Sequence, residues 1–182
     1  MAMKKQIIKM SMLAMMVMGG VNAAHADTKG TVQVTGVVNT LTCQVSLSRP
    51  TIDLGGMIPS ALNAANTLFN AQDVTVSLSG CGNAAAQAGA GIQLDANPIT
   101  GSSNKIFGSD TSATWGFGVA KKDAPATLLA KGEFLFSAVA GDLGTALEAK
   151  TYPATIGFAA PTASPTASAA QTTGISFSFV NP

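Results

Sequence analysis

Histidine is all but missing from these 182 residues, the single one being His25. There are two cysteines, one tryptophan and one tyrosine, and only 10% of residues are charged. Without a histidine beyond the first few dozen positions, neither a Ser-His-Asp nor a Cys-His arrangement can be built from the body of the chain. A His/Cys metal site is excluded for the same reason, and no Asp-rich loop resembles a calcium site. The pair Gly116 and Gly118 in "GFG" is no phosphate loop, because Lys121 and Lys122 lead into a turn rather than a helix. Carboxylates remain, namely Asp53, Asp73, Asp95, Asp110, Asp123, Glu133, Asp142 and Glu148. Their scatter beside turns reads as solvated surface rather than a glycosidase pair. No enzymatic role and no cofactor is expected.

Long apolar runs are also scarce. The one that stands out, Met10 to Val21, follows Lys4, Lys5 and Lys9 and precedes the small-x-small site Ala24-His25-Ala26. This is the layout of a secretory leader, shorter than the roughly 20 apolar residues of a membrane span. Cleavage is expected between Ala26 and Asp27, which makes residues 1–26 a signal peptide. Its removal leaves seven basic residues against nine acidic ones, a net charge of −2, so nucleic acid is not an expected partner. Export gives access to an oxidising compartment, where Cys43 and Cys81 are expected to pair, the alternative being two unpaired buried thiols.

What is present is alternation. From residue 27 onward, short runs of period two are divided by Gly, Pro, Asn and Ser, which predicts an all-β domain. "DVTVSLSGC" places Val74, Val76 and Leu78 on one face, with Cys81 out of phase and a bulge or strand end at Gly80. "GIQLDA" offers Ile92 and Leu94; "TWGFGVA" aligns Trp115, Phe117 and Val119 as core; "EFLFS" aligns Phe134 and Phe136. "TYPATIGFAA" aligns Tyr152, Ala154, Ile156 and Phe158, with Pro153 confined to an edge or a strand start. "SALNAAN" suits one helical turn, residues 97–112 are rich in turn residues and expected to be exposed, and "PTASPTASAAQTT" reads as a loop. Strands of this spacing suggest an immunoglobulin-type β-sandwich.

The opening stretch, "GTVQVTGVVNTLTCQVSL", changes phase. Val32, Val34, Gly36 and Val38 occupy even positions, whereas Leu41, Cys43, Val45 and Leu47 occupy odd ones. One strand buries one face, so the flip at Asn39-Thr40 separates two strands that serve different faces. Gly36 suggests a close backbone approach, or a simple bulge.

Three motifs resemble chaperone–usher fimbrial subunits of the major-pilin type: an alternating extension with a glycine before the first cysteine, the strand "VSLSGC", and the C-terminal "ISFSF". The resemblance covers both ends and the cysteine pair, and the middle of the chain only loosely. Asn181 stands where such subunits usually carry an aromatic residue, and Ala169 where they carry a glycine. The resemblance implies an incomplete immunoglobulin-like β-sandwich lacking its last strand, completed by donor-strand exchange. On that basis residues 27–39 are the donor extension, with Val32, Val34, Gly36 and Val38 as donor residues, and 40–182 the pilin domain. Ile175, Phe177 and Phe179 would flank the acceptor groove and contact the chaperone. Implied partners are neighbouring subunits in a homopolymer, a periplasmic chaperone and an outer-membrane usher on a Gram-negative cell. A host-surface receptor would meet the loops 97–112 or 160–173. The competing expectation is an exported, self-complete immunoglobulin-like module that binds a glycan or protein. Such a module would use Val32 to Val38 in its own sheet.

Overall fold

The computed structural model describes residues 41–182. The chain divides into two units, Met1–Gly36 and Val37–Pro182, and the fold described is that of the second. It consists of β1 (Gln44–Leu47), β2 (Phe69–Ser79), β3 (Gly91–Ala96), β4 (Ile106–Phe107), β5 (Gly116–Lys121), β6 (Phe134–Ser137), α1 (Gly144–Glu148), β7 (Thr151–Ala159) and β8 (Ile175–Val180). A five-stranded sheet runs β1-β2-β7-β5-β4 and a three-stranded sheet runs β6-β3-β8. Every pairing is antiparallel. The two sheets share one core, in which Val74, Val76, Val119 and Ala154 meet Ile92, Leu94 and Phe177. The architecture is the all-β, immunoglobulin-like sandwich that the alternation predicts.

The odd-phase run packs as expected: Leu41 is buried, and Cys43, Val45 and Leu47 lie half-buried against the core. Val74, Val76 and Leu78 are buried along β2. That strand ends before Gly80, whose φ of +66° suits glycine. Cys43 and Cys81 form a disulfide just outside the paired ends of β1 and β2. Pro153 sits third in the central strand β7, opposite Thr75. Both main-chain groups of Thr75 serve the other side: its N–H donates to Ser48 Oγ (3.0 Å) and its C=O accepts from Ser48 N (2.9 Å). On the far side the ladder to β5 stops at Ala154–Lys121. Beyond it Lys122 N still donates to Pro153 O (3.2 Å), so the N–H that proline lacks costs only a bond to the C=O of Lys122, an exposed residue.

Four expectations need correction. Residues 97–112 are not an exposed loop, because Ile99, Ser102, Ile106 and Phe107 are buried and β4 pairs with β5. The glycines of β5 make this possible, since a Cβ at Gly116 would collide with Phe107 O, and one at Gly118 would sit 2.8 Å from Leu68 Cδ2. In β6 the buried residue is Leu135, with Phe134 and Phe136 only half-buried, because a register shift against β3 falls between Ile92 and Gln93. Trp115, which precedes β5, and Phe117 within it are half-buried, not core, and of that face Val119 alone is buried. The helical turn is a 3-10 turn at Pro59–Ala61, while the short helix α1 carries no periodic signal in the sequence.

Tyr152 closes the core beside α1: its hydroxyl donates to Leu147 O (2.8 Å) and its ring lies 4.4 Å from that of Phe136. Burial raises the phenol above its ordinary pKa, and the Asp142 carboxylate acts in the same direction. A raised folded-state value means the neutral phenol contributes fully below about pH 10, a contribution lost as pH climbs through the folded value. Tyr152→Phe is expected to cost about 1 kcal/mol at neutral pH and to flatten the alkaline loss of stability. Denaturant melts at neutral and alkaline pH measure both.

Candidate functional site

The two sheets leave an open cleft between β1 and β8. Among the described residues β1 pairs only with β2, and β8 only with β3. The main-chain groups left over can be read from the register. Leu94 donates its N–H to Glu133 O (3.0 Å) and accepts from Gly132 N (2.8 Å), away from β8. Its partner Phe177 therefore turns its own N–H and C=O away from β3, and by alternation so do Ile175 and Phe179. On β1, Ser48 bonds to Thr75 of β2, so the residues that turn outward are Val45 and Leu47. Both edges thus offer main-chain groups that no described residue pairs with, on residues whose side chains face the core.

The cleft has a volume of about 820 Å³. Leu47, Val74, Ile156 and Phe158 reach it from the five-stranded sheet and Ile175 and Phe177 from the other. Its floor is aromatic, with Trp115 edge-on to Phe117 at 6.1 Å and Phe158 at 5.7 Å from each of them. Phe117 and Phe158 face one another because their positions are paired across β5 and β7. Arg49 and Asp53 are the charged residues among those lining it.

Two loops form the rim. Residues 49–62 are tied to β2 by Asn70 Nδ2, which donates to Leu54 O (2.6 Å), and by Gln72 Nε2, which donates to Asp53 O (3.0 Å). Gln72 Oε1 also accepts from Arg49 Nη1 at 3.0 Å. Residues 160–174 are held by the buried Gln171, whose Oε1 accepts from Asp110 N (3.1 Å) and Ser109 Oγ (3.3 Å). Ser164 N donates to Leu62 O at 2.7 Å, joining the two loops.

The carboxylates stand apart. Hydrogen bonds from Lys122 Nζ, 2.6 Å away, and then from Thr155 hold Asp73 below its usual pKa on the exposed face. Asp110 is lowered by hydrogen bonds from Ser112. Glu148 accepts from Cys81 N, Asp142 from Val139 N and Glu133 from Ala130 N, each fixing a turn or strand end.

Of the site residues expected from sequence, Ile175 and Phe177 lie on the cleft wall. Phe179 packs against the core further along β8, and Cys43 and Cys81 lie at the opposite end of β1. Val32, Val34, Gly36, Val38, Ala26 and Asp27 fall outside the described residues. Asn181 is buried, continuing the inward face of β8, and its Oδ1 accepts from Gln87 N at 3.0 Å. The sequence gives no sign of the rim residues Ile52, Leu54, Met57 and Leu62, which carry no period. The alternation of "TWGFG" does announce the floor, although as core.

No protein-family model matches this chain, and no curated protein matches it. Among solved structures, it is similar to the crystal structure of the P pilus rod subunit PapA at 18% identity and a TM-score of 0.42. That likeness spans 82% of this chain and 100% of the other.

Proposed function

We propose that this chain is a non-enzymatic structural subunit of a surface fimbria, in which the extension 27–39 of one copy completes the sandwich of the next. The observation that carries this reading is the cleft itself: two facing edges whose free main-chain groups and inward apolar side chains together suit one added strand. The even-phase run Val32, Val34, Gly36 and Val38 has the period such a strand requires.

Topology supports the reading. β1 begins at the disulfide end of the sandwich, and Leu41, the first described residue, lies just before it. The cleft, bounded by Leu47, Ile175 and the loops 49–62 and 160–174, lies at the other end. Donor and acceptor at opposite poles give a heterologous contact that repeats without closing, hence a filament. The inserted strand would run antiparallel to β8 and parallel to β1. On this reading residues 1–26 direct export, a periplasmic chaperone strand fills the cleft first, and exchange occurs at an outer-membrane usher. The motif resemblance supports that route and a major shaft role.

The test removes residues 27–39 and returns them as a synthetic peptide. Peptide at a hundredfold excess over its Kd is expected to stabilise the truncated domain by about 2.7 kcal/mol, a rise in Tm on the order of 10 °C. A truncated domain that is a stable monomer and ignores the peptide would instead be complete by itself, a binding module.

A further inference from the structure

We infer that consecutive copies also meet through a second, side-chain contact: Val139 and Leu143 of the copy that donates its strand dock against Ile58 on the cleft rim of the copy that receives it. The inference rests on the fimbrial reading above.

Three large apolar side chains stand out as exposed among the described residues: Ile58 at 68%, Val139 at 70% and Leu143 at 49%. They lie at the two poles that strand donation would bring together. Val139 and Leu143 flank a tight turn in which Asp142 N donates to Val139 O (3.0 Å) and Asp142 Oδ2 accepts from Val139 N (3.0 Å). The turn is fixed to the disulfide end, since Gly141 N donates to Ala86 O (2.9 Å) and Gly144 N to Ala84 O (3.0 Å). Gly144, next to Leu143, packs so closely on Leu41 that a Cβ there would lie 2.8 Å from Leu41 Cδ1. The turn therefore sits beside Leu41, the first described residue. Ile58 lies at the other pole, between the cleft-lining residues Met57 and Pro59.

Chain length forces these ends together. Leu41 is fixed in the core at 1% exposure, and Val38 is the last apolar residue of the even-phase run. Three residue steps span at most about 10 Å. With Val38 inserted in one cleft, the body that begins at Leu41 must stand directly against that cleft's rim. The apolar turn beside Leu41 then faces the apolar rim residue, and water is excluded from both.

Three variants of the full chain, secreted from its own leader, test this: Val139→Asp with Leu143→Asp, Ile58→Lys, and all three changes together. Because the altered side chains are exposed, each variant should fold. The double aspartate variant is expected to weaken self-association about tenfold or more by sedimentation, and adding Ile58→Lys to restore it through opposite charge. Binding of the peptide 27–39 to a chain carrying Val34→Asp, which cannot donate its own strand, should be unaffected by the two aspartates, which lie away from the cleft. Association unchanged by the aspartates, or weakened without rescue by Ile58→Lys, overturns the contact while peptide binding leaves the fimbrial reading standing. A chain that neither associates nor binds the peptide removes both.

Discussion

Replacing Cys43 and Cys81 together by serine is expected to lower stability by about 4 kcal/mol. The disulfide closes a loop of 38 residues' separation, and loop-closure entropy of that size in the unfolded chain accounts for the figure. For a domain of this size the loss lowers Tm by on the order of 15 °C. Structure around the bond works in the same direction. Cys81 is buried, its N–H donates to Glu148, and Gly144 packs on its Cβ, so the serine hydroxyl would enter an apolar corner. Denaturant unfolding of the oxidised protein against the double variant measures the difference. A loss under about 1 kcal/mol would mean that β1 is held by its ladder and by Leu41 alone.

Val34→Asp is expected to abolish polymerisation while leaving the body folded. If the extension inserts as proposed, into the cleft lined by Phe117, Phe158 and Phe177, a carboxylate at this position must either shed its water or take up a proton. Protonation at pH 7 from an ordinary pKa near 3.9 costs about 4 kcal/mol, which lowers donor affinity roughly a thousandfold. The variant keeps its own cleft, so it should still accept a wild-type strand and cap growing polymers. Mixed with wild-type subunit, it should shorten the fibres in proportion to its share, as read by electron microscopy or sedimentation. Acid should relieve the block: the penalty shrinks as pH falls toward the carboxyl's ordinary value. Wild-type polymer yield from Val34→Asp at neutral pH would mean that Val34 is not a donor residue.

Much of the frame was legible because burial in a sandwich leaves a period of two in the sequence. Val74, Val76 and Leu78, then Tyr152 to Phe158, and the alternation of β8 all face where the period says. The odd-phase run Leu41, Cys43, Val45 and Leu47 packs on the core of this domain, as its period says, whereas the even-phase run lies outside the described residues. What was not legible has no period. β4 is two residues long and hides among Gly, Ser and Asn, and its burial depends on space left by Gly116 and Gly118 on a strand ten residues away. Leu135 replaced Phe134 as the buried residue because of a register shift that only the partner strand determines. The cleft was half legible: the wall residues Ile175 and Phe177 alternate, whereas the rim 49–62 is irregular chain placed by Asn70 and Gln72.

The position of the disulfide also decides how the domain bears a load. Tension applied through the chain before Leu41 enters the body at the start of β1, a strand of four residues that it would otherwise peel from β2 one hydrogen bond at a time. Cys43 lies ahead of that strand and is tied to Cys81 at the end of β2, an eleven-residue strand pinned on its other side by β7. The pull therefore passes through a covalent bond into an inner strand of the larger sheet. Reduction would return the same pull to the four-residue ladder of β1.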